Sequence, residues 1–288
     1  VVFQDSRGFL WIGTEDGLNR YDGYRFDVFR YDGTKIDAIS GNRVVAIAED
    51  GFGNIWVGTR NRGISVLSRE TGRFIQYRHN KNNPGSLPED GVYAFHISRD
   101  GSVWVKTEKY LSRFRAETND FQSYGHYANV FKPAQAVRFD IVEESDSTFL
   151  LGTGDGLNRF NKNSGLFERL HTSGYLGEQC LDPVYEIQQI GRGKYLAATK
   201  SGLRYFEPGV FMMMVAARNH HGGTLSANAI CSDRLGRIWI GTNRGLESFI
   251  PQHFAHQPVV KKRFDLASII PHEVTCIFED SSGLIWVG

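Results

Sequence analysis

Short apolar runs recur along the whole chain, separated by Gly, Asp and Asn, and no stretch keeps a helical period. Four kinds of run follow one another in fixed order. The first is apolar-rich, as in Val44-Val45-Ala46-Ile47 and Val92-Tyr93-Ala94-Phe95. The second carries Trp, as in Leu10-Trp11-Ile12-Gly13. The third begins Gly-Leu and ends on Tyr21, Leu67, Phe114, Phe160, Phe206 or Phe249. The fourth starts with Phe26, Phe74, Phe121, Phe167, Phe211 or Phe254. Brief β-rich runs broken by turn residues predict antiparallel meanders of four strands.

The meander is repeated. Thr14, Thr59, Thr107, Thr153, Thr199 and Thr242 close the second run at intervals of 45, 48, 46, 46 and 43 residues. All five tryptophans (Trp11, Trp56, Trp104, Trp239, Trp286) occupy one position of the repeat, and Leu150 and Leu196 fill it in the other two units. A four-stranded unit of about 40 to 50 residues has the size of a propeller blade. The prediction is an all-β, seven-bladed β-propeller forming a single domain over 1–288. Its repeats start near 1, 44, 92, 137, 184, 227 and 274. Six blades are complete and Val274 to Gly288 supplies half of a seventh, which gives 26 strands and points to a fragment of a longer protein.

Each signature residue has a mechanical reading. Asp-x-x-Gly before the Trp run (Asp5/Gly8, Asp50/Gly53, Asp233/Gly236, Asp280/Gly283) suits a hairpin in which Asp accepts backbone N–H bonds and Gly supplies positive φ. The Trp is expected to pack between neighbouring blades. One Asp per turn is too few for the six to eight oxygens of a calcium site.

The pattern V-x-x-I-x-x-D-x-x-G-x-x-W-I-G-T-x-x-G-L-x-x-[YF]-D resembles the two-component regulator propeller repeat. It is fullest over Val1 to Asp22, Val44 to Leu67 and Ala227 to Phe249. The fourth and fifth units lack Trp and the full turn, and the third has Lys106 where Gly is expected. The resemblance implies the extracytoplasmic, periplasmic sensor part of a bacterial transmembrane signalling protein whose output is a histidine kinase, a hybrid kinase or a GGDEF-type cyclase. It also implies a small-molecule or oligosaccharide ligand and a possible homodimer through the parent protein. Binding residues do not carry over, because they lie in variable loops outside the motif.

Composition narrows the alternatives. A formal net charge of +1 gives no electrostatic reason to expect nucleic acid, and no apolar run is long enough to span a bilayer. Cys180, Cys231 and Cys276 are odd in number and outside ligand spacing, so they read as small buried hydrophobes. No cofactor or metal is expected. The adjacent His220 and His221 point apart in an extended chain and have no third ligand spaced with them.

The candidate binding residues are the tips between the second and third strands: Glu15, Asp16, Arg60, Asn61, Arg62, Glu108, Lys109, Asp155, Lys200, Asn243 and Arg244. The flanking Gly-Thr and Gly-Leu barely change between units while these tips differ, as when a rigid scaffold carries recognition on its loops. Longer excursions at Tyr124 to Gln135, His171 to Pro183 and Arg218 to Thr224 could add walls. Met212-Met213-Met214 falls on a fourth strand and Lys261-Lys262-Arg263 on a connection. Four carboxylates (Glu15, Asp16, Glu108, Asp155) share the proposed face with at least as many cations, and no GxSxG or HExxH is present. A ligand-binding sensor is therefore favoured over a protein-interaction scaffold, and both over a propeller-fold glycan hydrolase or lyase.

Overall fold

Second strands are apolar on both faces and first strands alternate, so the chain must cover its second strands from both sides. The computed structural model shows how. It describes residues 1–125, 140–154, 156–170, 182–207, 210–212, 226–249, 262–263 and 273–288. Among these every regular element is a strand. The chain divides into two compact units, Val1–Val130 and Phe131–Gly288.

The first unit holds three four-stranded antiparallel meanders. These are β1 (Val2–Gln4) to β4 (Phe26–Phe29), then β5 (Val44–Glu49), β6 (Ile55–Thr59), β7 (Ile64–Leu67) and β8 (Phe74–Tyr77), then β9 (Val92–Ile97), β10 (Val103–Thr107), β11 (Tyr110–Arg115) and β12 (Asp120–Gly125). In the first meander β2 is Leu10–Thr14 and β3 is Gly17–Tyr21.

The second unit holds three more, beginning at β13 (Ile141–Ser145), β17 (Val184–Gly191) and β21 (Ala227–Ser232), and a pair, β25 (Ile277–Glu279) with β26 (Ile285–Val287). The strands total 26 among the described residues, in the predicted order. One assignment is corrected. Lys262–Arg263 forms β24 and pairs with β23 (Gly245–Phe249), Glu247 opposite Arg263 and Ser248 opposite Lys262. The basic run was expected on a connection, but an edge strand needs only backbone pairing and tolerates charge well. Phe254, expected to open that strand, and Lys261 lie outside the described residues.

Burial follows strand order. β6 (IWVGT) is buried throughout, whereas β4 (FDVF) is only partly covered. Trp11 sits at 0% exposure in a cluster with Leu18 of its own sheet and Val44, Ile55 and Phe74 of the next. Trp56 shares a cluster with Val92 and Val105, Leu150 with Val184 and Ile187, Leu196 with Ala227 and Ile230, and Trp239 with Val274 and Ile277. Within each unit these side chains fill the space between successive sheets, as their repeat position predicts.

The glycine before each Thr shows how close the sheets come. A Cβ on Gly13 would lie 2.5 Å from Val44 Cγ1, one on Gly58 2.6 Å from Val92 Cγ1, and one on Gly241 2.6 Å from Val274 Cγ1. The fifth sheet replaces glycine by Ala198, and the facing valine becomes Ala227 in the same core cluster. Volume is thus conserved across that interface. In the third sheet Lys106 takes the glycine position, is buried, and donates its ammonium to the carbonyls of Thr107 and Glu108.

Candidate ligand-binding site

The strand two–three hairpins share one frame. The threonine hydroxyl donates to the carbonyl of the glycine that opens or directly precedes the third strand: Thr14 to Gly17 (3.0 Å), Thr59 to Gly63 (2.9 Å), Thr153 to Gly156 (2.8 Å), Thr199 to Gly202 (2.8 Å) and Thr242 to Gly245 (2.9 Å). The same oxygen accepts a tip N–H from Asp16, Arg62 or Arg244. Gly17, Gly156, Gly202 and Gly245 have φ between 112° and 120°, a region closed to side chains. Side chains at the tips take no part in this frame, and Glu15, Asp16, Asn61, Arg62, Lys109, Lys200, Asn243 and Arg244 are exposed.

In the first unit the connections from fourth to next first strand reach these tips. Arg43 pairs with Glu15 (2.7 Å), Arg30 with Asp16 (2.8 Å), and Glu89 accepts the N–H of Lys109 (3.0 Å). The Arg62 guanidinium lies 4.5 Å from the centre of the Tyr31 ring, and the Arg60 N–H donates to the Arg43 carbonyl. The structure brings Glu15, Asp16, Arg60 and Arg62 into one network through this connection. Glu108 acts on Tyr93, as described below. In the second unit Lys200 N donates to Pro183 O and Asn243 N to Ser226 O. Nearby, Asp182 accepts the N–H of Ser201 (2.9 Å) and pairs with Arg204 (3.3 Å). Asp155 lies outside the described residues.

Four first strands carry, at their start, a bulge that the sequence did not reveal. Pairing skips one residue between Val44 and Ala46, between Ala94 and Val92, between Val184 and Glu186, and between Ala227 and Ala229. The residues left out are Val45, Tyr93, Tyr185 and Asn228, all at the end of the sheet that carries the tips. A bulge re-aims a side chain out of the ladder. Burial raises the Tyr93 hydroxyl above its ordinary pKa, Glu108 and Glu89 raise it further, and Arg60 opposes them. Burial likewise raises Tyr185, with Asp182 and Glu273 adding to it. Asn228 donates to Glu273 Oε1 and accepts from Ser226 Oγ, each at 2.8 Å. In the first unit Tyr93 therefore shares the electrostatic environment of the tip residues Arg60 and Glu108.

The opposite end of the sheets is saturated. Asp5 Oδ1 accepts the N–H of Arg7 and Phe9 (both 3.0 Å), and Oδ2 accepts Trp11 Nε1 at 2.8 Å. Asp50, Asp233 and Asp280 repeat this with Trp56, Trp239 and Trp286 at 2.8, 2.9 and 2.8 Å. The preceding acid reaches the neighbouring turn: Glu49 accepts Ser6 N, and Glu279 accepts Arg234 N. In the third sheet Ser102 Oγ takes the Trp104 indole instead, at 3.0 Å.

A separate cavity of about 680 Å³ lies in the first unit, bounded by Gln76 and Tyr77 of β8, by residues 78–87 of the following connection, and by Asn119 and Phe121. No sequence motif marks it.

The remaining candidates divide. Tyr124 stacks on Trp104 at 6.0 Å, while 126–135, 171–181 and 218–224, with His220 and His221, lie outside the described residues, as does Cys180. Met212 ends β20 (Val210–Met212), and Met213 and Met214 lie outside the described residues. Cys231 lies on β21 and Cys276 just before β25. Burial, with Glu186, Glu279 and Asp233 nearby, pushes the Cys231 thiol up to about 11, far from a reactive thiolate. Glu15 and Asp16, which an acid–base pair would need free, are each tied to an arginine.

Comparison with known proteins fits this architecture. The two-component regulator propeller family matches residues 38–61, 222–244 and 268–288. The chain is similar to the extracellular domain of the putative hybrid two component system BT3049 from B. thetaiotaomicron: 23% identity, TM-score 0.77, covering 100% of this chain and 38% of that one. Similarity to the extracellular domain of the putative one component system BT4673 from the same organism is 22%, with TM-score 0.73 and coverage of 100% and 36%. PorZ, a surface component of the type-IX secretion system of Porphyromonas gingivalis, aligns at 15% identity and TM-score 0.69, over 99% of this chain and 44% of its own. No curated protein sequence matches. The chain spans 38% and 36% of the first two extracellular domains. Among the described residues no helix is long and apolar enough to cross a membrane. The chain is an all-β propeller, and the two-component regulator propeller model matches three of its repeats.

Proposed function

We propose that this chain is a periplasmic ligand-sensing domain of a bacterial transmembrane signalling protein, and that it binds a small molecule or glycan fragment at the strand two–three end of its sheets. The parent would carry a kinase or diguanylate cyclase output and could dimerise through its other parts; this segment would bind and not catalyse. One observation carries the reading. The first-strand bulge recurs in four sheets and places Val45, Tyr93, Tyr185 and Asn228 at the end that bears the variable tips. Bulges cost ladder pairing and are retained where a side chain must be re-aimed. Register shifts also occur at the other end of β13 and β17, but the shift at the tip end recurs in four sheets, and its unlike residues fit a recognition surface on a constant frame. The similarity to extracellular domains of two-component systems supports the sensing role.

A thermal-shift screen of the purified chain against oligosaccharides and small metabolites tests it. A hit abolished by Tyr93→Ala or Arg62→Ala, with the unliganded melting temperature nearly unchanged, is the expected result. A protein copurifying at stoichiometry with no small-molecule hit would favour the interaction-scaffold reading. Glycan turnover lost on changing Glu15 or Asp16 would instead make the domain an enzyme.

A further inference from the structure

The connection from β8 to β9 has an internal twin in the connection from β4 to β5. Both are pinned by a parallel bridge, Tyr31 with Ile39 and His79 with Leu87, and both bury that aliphatic residue completely. Tyr31 N donates to Asn42 Oδ1 as His79 N donates to Asp90 Oδ1. Thr34 N donates to Asp32 Oδ1 as Asn82 N donates to Asn80 Oδ1. Asp32 and Asn80 thus do the same scaffolding work. They differ in what remains free: Asp32 takes Lys35 at 3.3 Å, whereas Lys81 in the second connection has no carboxylate partner among the described residues.

That second connection walls the cavity of about 680 Å³, a volume in the ordinary range for small-molecule sites. Its lining contains no Asp or Glu. Backbone N–H groups of Asn82 and Gly85 hold Asn80 Oδ1 and Asn83 Oδ1, each at 3.0 Å, and the Tyr77 hydroxyl bonds Asn119 Oδ1 at 2.7 Å. A backbone N–H can bond only the oxygen of an amide, so the orientation of Asn80 and Asn83 is fixed and each Nδ2 is left as a donor. These Nδ2 groups and that of Asn119 donate to no other described residue, and Lys81 Nζ adds a fourth donor. Burial keeps the Tyr77 hydroxyl protonated by raising its pKa.

The two carboxylates beside the lining are already paired, Asp90 with Arg78 at 3.0 Å and Asp120, next to Gly85, with Arg115 at 2.6 Å; the donors left over select acceptors and negative charge. We infer that this groove is a binding site, separate from the strand two–three tips, for a small carboxylate-bearing, hydroxyl-rich ligand such as a short acidic saccharide. Its carboxylate would sit against Lys81 and the Asn80 and Asn83 amides, with hydroxyl groups on Asn119 and Gln76. The reading stands on the first unit alone and does not require the tips to bind anything.

The test is titration of the ¹⁵N-labelled 288-residue chain with digalacturonate and, in parallel, with neutral digalactose, following the side-chain amide resonances of Asn80, Asn83 and Asn119. The acid is expected to shift these resonances saturably, and the neutral disaccharide to bind at least about tenfold more weakly. Asn80→Asp should weaken acid binding by at least about tenfold while leaving the melting temperature unchanged, because Asp32 shows that a carboxylate serves the same turn. Lys81→Ala should weaken it comparably. Absence of any amide shift, equal response to both disaccharides, or undiminished binding by Asn80→Asp would each overturn the inference. Acid binding lost on Arg62→Ala but kept in Asn80→Asp would move the site to the tips, overturning the groove while preserving the sensing role.

Discussion

The two ends of each sheet are closed by hairpins, and they spend their polar groups in opposite ways. At the strand one–two end, Asp5, Asp50, Asp233 and Asp280 each use both carboxylate oxygens on two backbone N–H groups and a tryptophan indole. At the strand two–three end, the threonine hydroxyl and the glycine carbonyl hold the backbone, and the tip side chains stay exposed, with Glu15, Asp16 and Arg62 making surface contacts only. One end is a clamp that fixes the bulky residue between sheets. The other is a frame that fixes the backbone and leaves side chains available. Under the proposed function, stability and recognition fall to different residues of the same repeat.

Removing what the clamp holds should have the largest effect. Trp56→Ala empties a site shared by two sheets and should cost about 3–5 kcal/mol in denaturant unfolding. A loss under about 1 kcal/mol would mean that the indole does not hold the sheets together. Asp50→Ala keeps the indole but leaves Trp56 Nε1 and the N–H groups of Phe52 and Asn54 without their acceptor. It should cost about 2–3 kcal/mol, whereas Leu150 and Leu196 need no such partner, so the clamp is a consequence of choosing Trp.

Gly58→Ala places a methyl group 2.6 Å from Val92 Cγ1 and should destabilise by about 1–3 kcal/mol. Val92→Ala in the same chain should recover much of that loss, reproducing the Ala198 and Ala227 pair found in the fifth sheet. Failure of the double variant to recover would show that the close approach is set by backbone and not by the valine.

Acid should act on the clamped end most strongly, because its carboxyls Asp233 and Asp280 are buried. Burial works to raise the Asp280 carboxyl, but bonds from Ser282 Oγ, Trp286 Nε1 and the N–H groups of Leu284 and Ser282 outweigh it and hold it down to about 2. Asp233 is lowered in the same manner by Trp239, Arg237 and Leu235, again against burial. A depressed folded pKa binds fewer protons than the unfolded chain. This contribution is therefore full above the unfolded value near 3.9 and is lost as pH falls from there toward 2. Asp280→Asn should flatten the fall in melting temperature across that interval; an unchanged slope would contradict the assignment.

Much of this was legible in the residues because the repeat concentrates on positions with a single mechanical solution. Gly13, Gly58 and Gly241 face a valine where a Cβ would clash, and Gly17 and Gly245 need φ near 120°, so no other residue fits and the period shows. The six-residue step from Asp to Trp was equally visible, although the bond across it became clear only in three dimensions. The bulge was hidden because it is a property of ladder register, and Val45, Tyr93, Tyr185 and Asn228 share no chemistry that would announce it. The fourth strand at Lys262–Arg263 was hidden because an edge strand requires no apolar pattern. The groove depends on which atom of Asn80 and Asn83 the backbone holds, and no residue string encodes that.

The division between clamp and tips is tested most directly by one denaturant titration of a variant carrying Arg60→Ala, Asn61→Ala and Arg62→Ala together. These three changes remove every side chain of one tip and the cation–π contact of Arg62 with Tyr31 at 4.5 Å. The account predicts a loss below about 1 kcal/mol with an unchanged slope. A loss as large as that of Asp50→Ala would contradict it, because the tip would then be part of what holds the sheets together.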